Sequence, residues 1–514
     1  MRRGIVAILI ALPGMALGNP AFRPVTIPEH VYAGGWEHFV GGGLAVFDCD
    51  GDLFPEIVAA GGANPAALLR NDTAEIGADI AFHADTPAEL ALAGVSGFYP
   101  LDIDGDGVLD LAVLRVGENM LLRGEGDCRF APFPASLGFT SDDRWTTSFS
   151  ATWEAGAGLP TLAFGNYVDR TDPQGPFEAC DINQLYRPEN SVYSSPIVLE
   201  PGFCALSALF SDWNRNGQAD LRLSNDRHYY VRGGQEQLWA MEAAPRLYTE
   251  DEGWRPYSLW GMGIASRDLT GDGLPEVYLS SMGDQHLQIR DGTGPSWVNA
   301  PFEMGATAQR PHLGDDGRPS TGWQISFGDV NNDTRDDVFI AKGNVEQMPS
   351  NAMEDPNSLL MQREDGRFTE MSVEAGVASM ARSRGAALVD LNLDGRLDLA
   401  VVNRRVPMEI YQNAAATDGH WLAITLAQPG PNSQAVGAWI DLQVGEQVFS
   451  REITVGGGHA SGSAVPEHFG LGAAEVARAR ITWPDGEQTE WFEIEADCIL
   501  RVTRIDNGLA MQRL

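Results

Sequence analysis

The strongest constraint on the fold is a nine-residue pattern that recurs along the chain. In residues 102–110, Asp-Ile-Asp-Gly-Asp-Gly-Val-Leu-Asp, oxygen-bearing side chains stand at positions one, three, five and nine. Ca²⁺ takes about six to eight oxygen ligands in irregular geometry, and Gly105 permits the sharp turn that such a loop requires. The next residues, 111–114, form a short apolar run typical of a strand. The pattern therefore predicts a calcium loop inside a β-hairpin.

The pattern occurs six times with oxygen-bearing side chains at all four positions. The candidate calcium ligands are Asp48, Asp50, Asp52, Glu56, Asp102, Asp104, Asp106, Asp110, Asp212, Asn214, Asn216, Asp220, Asp268, Thr270, Asp272, Glu276, Asp329, Asn331, Asp333, Asp337, Asp390, Asn392, Asp394 and Asp398. A further copy, residues 153–161, aligns through its glycines but has Trp153, Ala155 and Ala157 at ligand positions. We expect about six Ca²⁺ ions and one unit without metal.

The copies begin at residues 48, 102, 153, 212, 268, 329 and 390, which is a regular spacing. Repeats of this size, each with a few short strands, predict an all-β fold, a seven-bladed β-propeller with about four strands per blade. Five residues before position one, six units have a small residue and one has glutamine: Gly43, Gly97, Ser148, Ser207, Gly263, Gln324 and Gly385. Small residues there fit a crowded inner strand. Residues 22–26 are similar to 368–372, so the N-terminal strand is expected to complete blade seven.

These motifs resemble known families. Asp-x-Asp-Gly-Asp-x-x-x-Asp followed by an apolar strand is similar to the FG-GAP/VCBS repeat of integrin α-chain propellers. The chain from His420 onward resembles the ASPIC/UnbV domain, on these motifs: His420-Trp421-Leu422, Asn432, Ala435-Val436-Gly437-Ala438, Arg451-Glu452-Ile453, Gly456-Gly457-Gly458, His468-Phe469-Gly470-Leu471-Gly472 and Trp483-Pro484-Asp485-Gly486. The two together resemble the cartilage acidic protein family. His459-Ala460-Ser461 departs from that family's aromatic-x-Ser pattern.

The resemblance implies a propeller over residues 19–416 and a small β-rich ASPIC/UnbV-like domain over 417–514. Residues 1–18 predict a signal peptide, because two arginines precede a short apolar stretch and a small-x-small cleavage site. No later apolar segment reaches the length of a membrane span. We therefore expect a secreted or periplasmic protein. Free Ca²⁺ is available outside the cytosol.

The chain is strongly acidic, with 71 acidic and 35 basic side chains and a net charge of −36. Six Ca²⁺ ions would offset part of this charge. The remainder argues against nucleic acid and anionic lipid as partners.

Five cysteines are present. Cys180 and Cys204 both lie in or beside one long insertion, and an exported protein can oxidise them to a disulfide. Cys49 and Cys128 could also pair, although the sequence does not decide this. Cys498 is expected to be buried and free.

The longest insertions predict where a partner binds. If the calcium loops define a lower face, then the insertions at 166–198, 226–235, 304–321 and 342–357 all lie on the opposite, upper face. Aromatic rings and arginines, the mix enriched at binding surfaces, occur in or near them. The predicted ligand-binding residues are Tyr167, Arg170, Tyr186, Arg187, Arg227, His228, Tyr229, Tyr230 and Trp239.

Catalytic patterns are missing from the sequence. It has no His-Glu-x-x-His, Gly-x-Ser-x-Gly or Cys-x-x-Cys, and no catalytic residue is predicted. This favours an exported calcium-binding propeller that acts as a binding or adhesion-type module for an extracellular protein or glycan. The alternative is an enzyme, or an enzyme accessory, that acts on an extracellular polysaccharide through the upper face.

Overall fold

The computed structural model describes residues 19–226, 234–314, 317–506 and 508–514, which fold mainly into short β-strands. The all-β class expected from the sequence is confirmed. The described residues include one short α-helix, α1 (Ser372–Ala375), and 3₁₀ turns at Trp36–His38, Ala135–Leu137, Glu250–Glu252 and Phe302–Met304. The predicted signal segment 1–18 lies outside the described residues, and so do Arg227, His228, Tyr229 and Tyr230.

The repeating unit is a meander of four antiparallel strands, and seven such units occur in the described part of the chain. The first strand of the chain is β1 (Phe22–Val25). Units one to three contain β2 (Leu44–Phe47), β3 (Glu56–Ala59), β4 (Ala67–Asn71), β5 (Phe82–Ala84), β6 (Val95–Leu101), β7 (Asp110–Gly117), β8 (Met120–Gly124), β9 (Phe130–Pro132), β10 (Arg144–Thr152), β11 (Thr161–Asn166), β12 (Asn183–Tyr186) and β13 (Ile197–Leu199). Units four to seven contain β14 (Ala205–Ser211), β15 (Asp220–Asn225), β16 (Gln237–Ala240), β17 (Arg246–Leu247), β18 (Gly261–Arg267), β19 (Glu276–Ser281), β20 (His286–Arg290), β21 (Trp297–Asn299), β22 (Gly322–Gly328), β23 (Asp337–Lys342), β24 (Ser358–Gln362), β25 (Phe368–Glu370), β26 (Ser383–Val389), β27 (Asp398–Asn403) and β28 (Glu409–Asn413).

The units close into a ring. Strand β1 pairs antiparallel with β28, with Phe22 opposite Asn413 and Val25 opposite Ile410, so it is the fourth strand of unit seven, as expected from the sequence. The inner strands β2, β6, β10, β14, β18, β22 and β26 contact one another in succession, and β26 contacts β2. This closed succession is the arrangement of a β-propeller, and it pairs the terminal strand that an open ring would leave exposed.

The core lies between neighbouring units. Val46 of unit one packs in one apolar cluster with Val113 of unit two and Val402 of unit seven. All residues of β2 and β6 are buried, which explains why the inner strands are rich in apolar and small residues. Burying one such aliphatic side chain contributes about 1.5–3 kcal/mol, so each interface between units adds to stability.

The C-terminal part is a separate pair of four-stranded sheets, ordered β33-β29-β36-β37 and β31-β30-β34-β35. The strands of these two sheets are β29 (His420–Ala427), β30 (Trp439–Val444), β31 (Gln447–Glu452), β33 (Glu467–Gly472), β34 (Val476–Thr482), β35 (Phe492–Glu495), β36 (Cys498–Ile505) and β37 (Gly508–Arg513). A further strand, β32 (Gly462–Ala464), pairs with β2 of the propeller. Leu422, Ile440, Phe469 and Ile481 belong to one buried cluster that both sheets share.

Residues 454–464, here called the plug, leave this domain and enter the central channel of the propeller. Val455 bridges to Ala151 and Gly458 to Ile264, while β32 runs parallel to β2. The plug reaches inner strands from every unit of the ring. A Cβ atom on Gly43 or Gly97 would lie 1.8 or 2.0 Å from the carbonyl oxygen of Ala460. The small residues of the inner strands therefore make room for the plug.

Gln324 is the exception among those small residues, and the plug explains it. Its side-chain oxygen accepts a hydrogen bond from the backbone N–H of His459. Its amide nitrogen donates to the carbonyl oxygen of Ile325 at 3.1 Å. Unit six therefore contacts the plug through a side chain, where units one and two use close backbone approach.

Two disulfides connect distant parts of the chain. Cys180 bonds to Cys204, and Cys49 bonds to Cys128. The second bond joins the candidate calcium loop of unit one to the outer hairpin of unit two. Cys498 is free and buried.

Candidate calcium centres and the two faces of the propeller

All seven loops, the degenerate one included, join the first and second strands of a unit in the same way. Position nine is always the first residue of the second strand, and it is buried. These residues are Glu56, Asp110, Thr161, Asp220, Glu276, Asp337 and Asp398. The copy at 153–161 therefore shares the hairpin of the other six units.

The loop backbone aims its N–H groups at position one. Gly105 and Gly107 have φ values of +75° and +86°, and their N–H groups donate to Asp102 Oδ1 and Oδ2 at 2.8 and 2.9 Å. Leu53 and Thr334 stand where Gly107 does and have φ values of +80° and +78°. Such values strain a residue with a Cβ, so these loops accept strain in order to hold the same turn.

In units two, six and seven, the position-nine carboxylate connects the loop to the third strand. Asp110 Oδ2 accepts from the N–H of Ile103, and Oδ1 accepts from the N–H of Gly124, both at 2.7 Å. Asp337 and Asp398 accept the corresponding pairs of backbone N–H groups. The loop, the second strand and the third strand are therefore held by one carboxylate.

The loops also bring ligand oxygens together. Oxygen atoms of Asp48, Asp50 and Glu56 lie within 4.8 Å of one another, and so do oxygens of Asp102, Asp104 and Asp110. This spacing suits several oxygens around one Ca²⁺ ion, which binds its ligands at about 2.3–2.6 Å.

Two position-three side chains provide a second indication that the loops suit a cation. The Oδ1 atoms of Asn331 and Asn392 are buried and accept no hydrogen bond from the described residues. The amide nitrogens of both side chains donate to the position-five carboxylates, Asp333 and Asp394. Buried polar atoms are normally satisfied, and a cation in the loop would satisfy both oxygens.

Burial makes the ionised carboxylates costly. Burial raises the pKa of Glu56 to about 8, with a further rise from the neighbouring carboxylates, Asp50 and Asp48. Burial likewise raises the pKa of Asp110 to about 8 and of Glu276 to about 7, and raises that of Asp398 well above its ordinary value. A bound divalent cation would reverse this effect and keep the carboxylates ionised.

Arginines neutralise part of the charge at positions three and five. Arg70 lies 2.7 Å from Asp50, and Arg123 lies 2.8 and 2.7 Å from Asp104 and Asp106. Arg123 lies in β8, the third strand of unit two, whose end is close to the loop. In units one and two these ion pairs involve positions three and five, and no described residue forms one with position one or nine.

In unit three, the loop at 153–161 is accompanied by an ion pair within the chain. Arg187 Nε lies 2.7 Å from Glu154 Oε1, and the same oxygen accepts from the hydroxyl of Thr161 at 2.9 Å. Glu154 is at position two and Thr161 is at position nine of this loop. An ion pair within the chain thus stands beside the loop that lacks ligand side chains.

The C-terminal domain covers the lower face. The N–H of Asp102 donates to Gln434 Oε1 at 2.8 Å, and the N–H of Asp212 donates to Glu452 Oε1 at 2.6 Å. In unit six, a Cβ on Gly470 would lie 1.9 Å from the carboxylate of Asp329. Glu452 and Gly470, which belong to the sequence motifs of this domain, therefore contact the candidate calcium loops.

Three of the predicted ligand residues lie at the wrong end of their units. Tyr186 ends strand β12, which runs back to the lower face beside Leu162, and Arg187 follows the strand. Trp239 pairs with Leu221, next to position nine of unit four. The prediction missed this because the insertion at 166–198 contains a strand. Tyr186 and Trp239 are also buried.

The other two described ligand residues lie at the upper end, where they contact the chain itself. Tyr167 is fully buried, and its hydroxyl donates to Asp226 Oδ2 at 2.6 Å. Arg170 Nη1 lies 2.8 Å from Glu37 Oε1, and its Nη2 is paired with Asp143. The five predicted residues that the structure describes therefore do not form one surface.

The upper mouth of the channel carries an exposed tryptophan that the sequence analysis did not select. Trp36 is 45% exposed, and its ring packs edge-on against the buried Trp145 at 5.0 Å. Glu37 follows Trp36 in the sequence, and Asp143 lies two residues before Trp145. Arg170 forms an ion pair with each of these carboxylates. The available signal was Gly34-Gly35 before an aromatic residue, which places a turn ahead of Trp36.

Buried arginines close this mouth. Arg384 Nε donates to the carbonyl oxygen of Phe39 at 3.0 Å, and its guanidinium lies 3.9 Å from the ring centroid of Trp323. Trp323 in turn contacts His459 of the plug, with ring centroids 4.9 Å apart. Burial and the nearby Arg384 lower the pKa of His459 to about 3, so its ring is neutral. The plug thus reaches the upper cover of the channel.

A cavity of about 860 Å³ lies between the lower face and the C-terminal domain. It is lined on one side by Ile264 and Phe327 of the propeller, and on the other by Leu426, Val465 and Ile499. Beyond the plug, the two domains therefore enclose space rather than touching everywhere.

Comparisons with known proteins agree with this architecture. A family model described as "FG-GAP-like repeat" matches residues 329–401, and one described as "ASPIC and UnbV" matches residues 428–508. The chain thus carries both elements that the sequence motifs indicated. Among the described residues, no helix combines the length and apolar character that crossing a membrane requires.

Whole-chain similarity is weaker. Cartilage acidic protein 1 of Homo sapiens is 22% identical over 492 residues, which is 87% of this chain and 69% of that protein. The Mus musculus protein of the same name is 22% identical over 490 residues, 87% of this chain and 70% of that protein. The crystal structure of BBS1N in complex with ARL6DN aligns with a TM-score of 0.45 and 9% identity, over 77% of this chain and 97% of that one.

Proposed function

We propose that this protein is an exported, calcium-binding propeller that serves as an extracellular binding module. The observation that carries the calcium part is the pair of buried, unsatisfied side-chain oxygens at position three of units six and seven, Asn331 and Asn392. A buried acceptor without a partner costs about 1–3 kcal/mol, and a cation in the loop would remove that cost.

The chain's own residues define what each loop does. Backbone N–H groups orient the position-one carboxylate, while position nine connects the loop to the third strand. When bound, Ca²⁺ would supply the positive charge that the gathered oxygens lack, as in other oxygen-ligand sites. The result would be a rigid ring with its variable loops on the upper face.

Two measurements test the calcium part of the proposal, anomalous scattering from crystals with calcium and isothermal titration with calcium. We expect about six lower-face peaks, at the loops that begin at residues 48, 102, 212, 268, 329 and 390, and none at 153–161. Isothermal titration should show binding in the range of about 10⁻⁷ to 10⁻³ M that sensor and extracellular oxygen sites cover. No heat and no peaks at millimolar calcium would refute the proposal.

The upper mouth around Trp36 is the proposed contact surface for an extracellular protein or glycan. Tryptophan is enriched at binding hot spots, and the ring of Trp36 is held by its edge-on contact with Trp145. The two disulfides are consistent with an oxidising compartment, which supports export.

A glycan array and a pull-down from extracellular proteins would identify the partner. Trp36→Ala should then weaken binding by more than about 2 kcal/mol, with a smaller loss of folding stability, about 0.5–1.5 kcal/mol, from the lost ring contact with Trp145. Phe302→Ala is the matched control, because Phe302 is 73% exposed but follows an outer strand of unit five. Equal effects of the two substitutions would exclude the upper mouth.

A further inference from the structure

The C-terminal domain holds the first ligand residue of two calcium loops directly. In unit two, Gln434 accepts from the N–H of Asp102, and the hydroxyl of Ser433 donates to Asp102 Oδ2. In unit four, Glu452 Oε1 accepts from the N–H of Asp212 at 2.6 Å, and Glu452 Oε2 accepts from the hydroxyl of Ser211. Both position-one residues are therefore fixed from outside their own blade.

Unit one provides an internal comparison. Asp48 accepts from the N–H groups of Gly51 and Leu53 at 2.7 and 3.1 Å, as the other position-one residues do. Among the described residues, no hydrogen bond joins Asp48 to the C-terminal domain. The loop hydrogen bonds alone thus suffice for the common geometry, and the contacts in units two and four are additional.

The plug holds the C-terminal domain in one position over the lower face. Gly457 N and Gly458 N donate to the carbonyl oxygens of Ala208 and Ile264, both at 2.7 Å. Ala208 and Ile264 belong to the inner strands of units four and five. The domain therefore cannot shift over the lower face without breaking hydrogen bonds inside the channel.

We propose that Ser433, Gln434 and Glu452 are positioning residues for the calcium sites of units two and four. They hold the position-one carboxylate and its backbone in place, so calcium binding and docking of the C-terminal domain stabilise each other. This inference rests on the proposed calcium function. Groups that orient metal ligands from outside typically change metal affinity by about 10- to 100-fold, and coupling between two binding events is reciprocal.

The first test uses the full chain with Ser433→Ala and Gln434→Ala together. Hydrogen–deuterium exchange during a calcium titration reports separately on peptides that cover 102–110 and 48–56. The double variant should shift the calcium midpoint of the unit-two loop upward by about 10- to 100-fold. The unit-one loop should stay within about threefold of wild type, as should both loops in the control Gln447→Ala, which alters an exposed residue.

Rescue separates positioning from a general loss of structure. Ser433→Thr keeps the hydroxyl and, with Gln434 intact, should restore the wild-type midpoint. Ser433→Ala alone removes a single oxygen and should give a smaller shift in the same direction. If the Ser433→Ala/Gln434→Ala double variant binds calcium in unit two with the wild-type midpoint, the inference is overturned while the proposed function stands. If the wild-type loop of unit two shows no calcium response, the proposed function itself fails.

Reciprocity gives the second test, read on the C-terminal domain rather than on the loop. Asp104→Asn removes one charge from unit two and should speed exchange in the segment 428–436 at calcium concentrations that saturate wild type. Asp50→Asn is the matched change in unit one and should leave that segment unchanged. Equal exchange in both variants would show that docking is independent of calcium in unit two.

Discussion

Units two and three are neighbours with the same hairpin, but the charged side chains in and beside their loops are arranged differently. In unit two, oxygens of Asp102, Asp104 and Asp110 gather within 4.8 Å. In unit three, Thr161 replaces the position-nine carboxylate, and Glu154 is paired with Arg187. Their sheets are even joined, because β7 pairs with β10. One blade geometry is thus compatible with a cage for a cation and with an internal ion pair.

The comparison separates what the backbone does from what the side chains do. Strand register and the start of the second strand at position nine are the same in both units, so they do not depend on the ligand set. Asp102 and Asp110 of unit two are buried and form no ion pair with another described residue, whereas the charges of Glu154 and Arg187 offset each other. Calcium would therefore stabilise six units and leave unit three unaffected.

Removal of calcium should have the largest effect. Each site adds about 2.7 kcal/mol to the free energy of unfolding at a free calcium concentration near 100 times its Kd. Excess EDTA should therefore lower the melting temperature of the protein strongly, as measured by scanning calorimetry. Magnesium at the same concentration is the control for ionic strength. A melting curve that EDTA does not move would contradict structural calcium.

Substitution of position nine should break the comparison unit by unit. Asp110→Ala leaves the N–H groups of Ile103 and Gly124 without acceptors and removes a calcium ligand, so we expect a loss of about 3–5 kcal/mol in saturating calcium. Thr161→Ala removes one hydroxyl hydrogen bond and should cost about 1 kcal/mol. Urea denaturation measures both losses. The first loss should shrink in EDTA and the second should not; the reverse pattern would mean that unit three is the metal-bound one.

Local spacing made the loops and blades predictable. The four ligand positions, the apolar run after them and the regular repeat are all short-range features, so one sequence suffices to locate seven hairpins and the strand that closes the ring. The departure of unit three was also visible, because Trp153 and Ala155 cannot supply the oxygens that the pattern requires.

The plug and the placement of the ligand residues were not predictable in the same way. Gly43 and Gly97 indicated crowding, but the crowding group, the carbonyl of Ala460, lies more than 350 residues away in the sequence. Tyr186 and Trp239 were assigned to the upper face because their segment looked like loop, whereas strands β12 and β16 carry them to the lower face. The first failure concerns a contact that exists only in the closed ring, and the second concerns strand pairing within a single unit.

Acidity should change the calcium effect in a defined direction. The ordinary pKa of a glutamate is 4.5, and burial raises the pKa of Glu56 in the calcium-free fold to about 8. Because the calcium-free folded state holds this proton more tightly, it loses stability as the pH rises from about 4.5 to about 8. Calcium binds the ionised form, so the gain in melting temperature on adding calcium should be larger at pH 8 than at pH 5. A gain that is equal at both pH values would contradict the assignment of the buried carboxylates as ligands.

Unit four lies between units two and three in charge, and one substitution should move it toward unit two. Its loop has two carboxylates, Asp212 and Asp220, and Asn216 at position five. Asn216 Oδ1 accepts from the N–H of Gln218 at 2.8 Å, which an aspartate oxygen can also do, so Asn216→Asp preserves the turn while it adds a charge. More ligand charge raises calcium affinity, and we expect tightening of about tenfold or less.

The matched reverse change is Asp106→Asn at position five of unit two, which should weaken that site by a similar factor. Calcium-dependent hydrogen exchange of the two loops, titrated in parallel, measures both shifts against wild type. In the wild-type protein the loop of unit four should fill after that of unit two. If unit four fills first, or if both substitutions shift affinity in the same direction, carboxylate count does not rank these sites. The ordering of the units from two through four to three would then need a different physical basis, such as the direct contact between Glu452 and the backbone of Asp212.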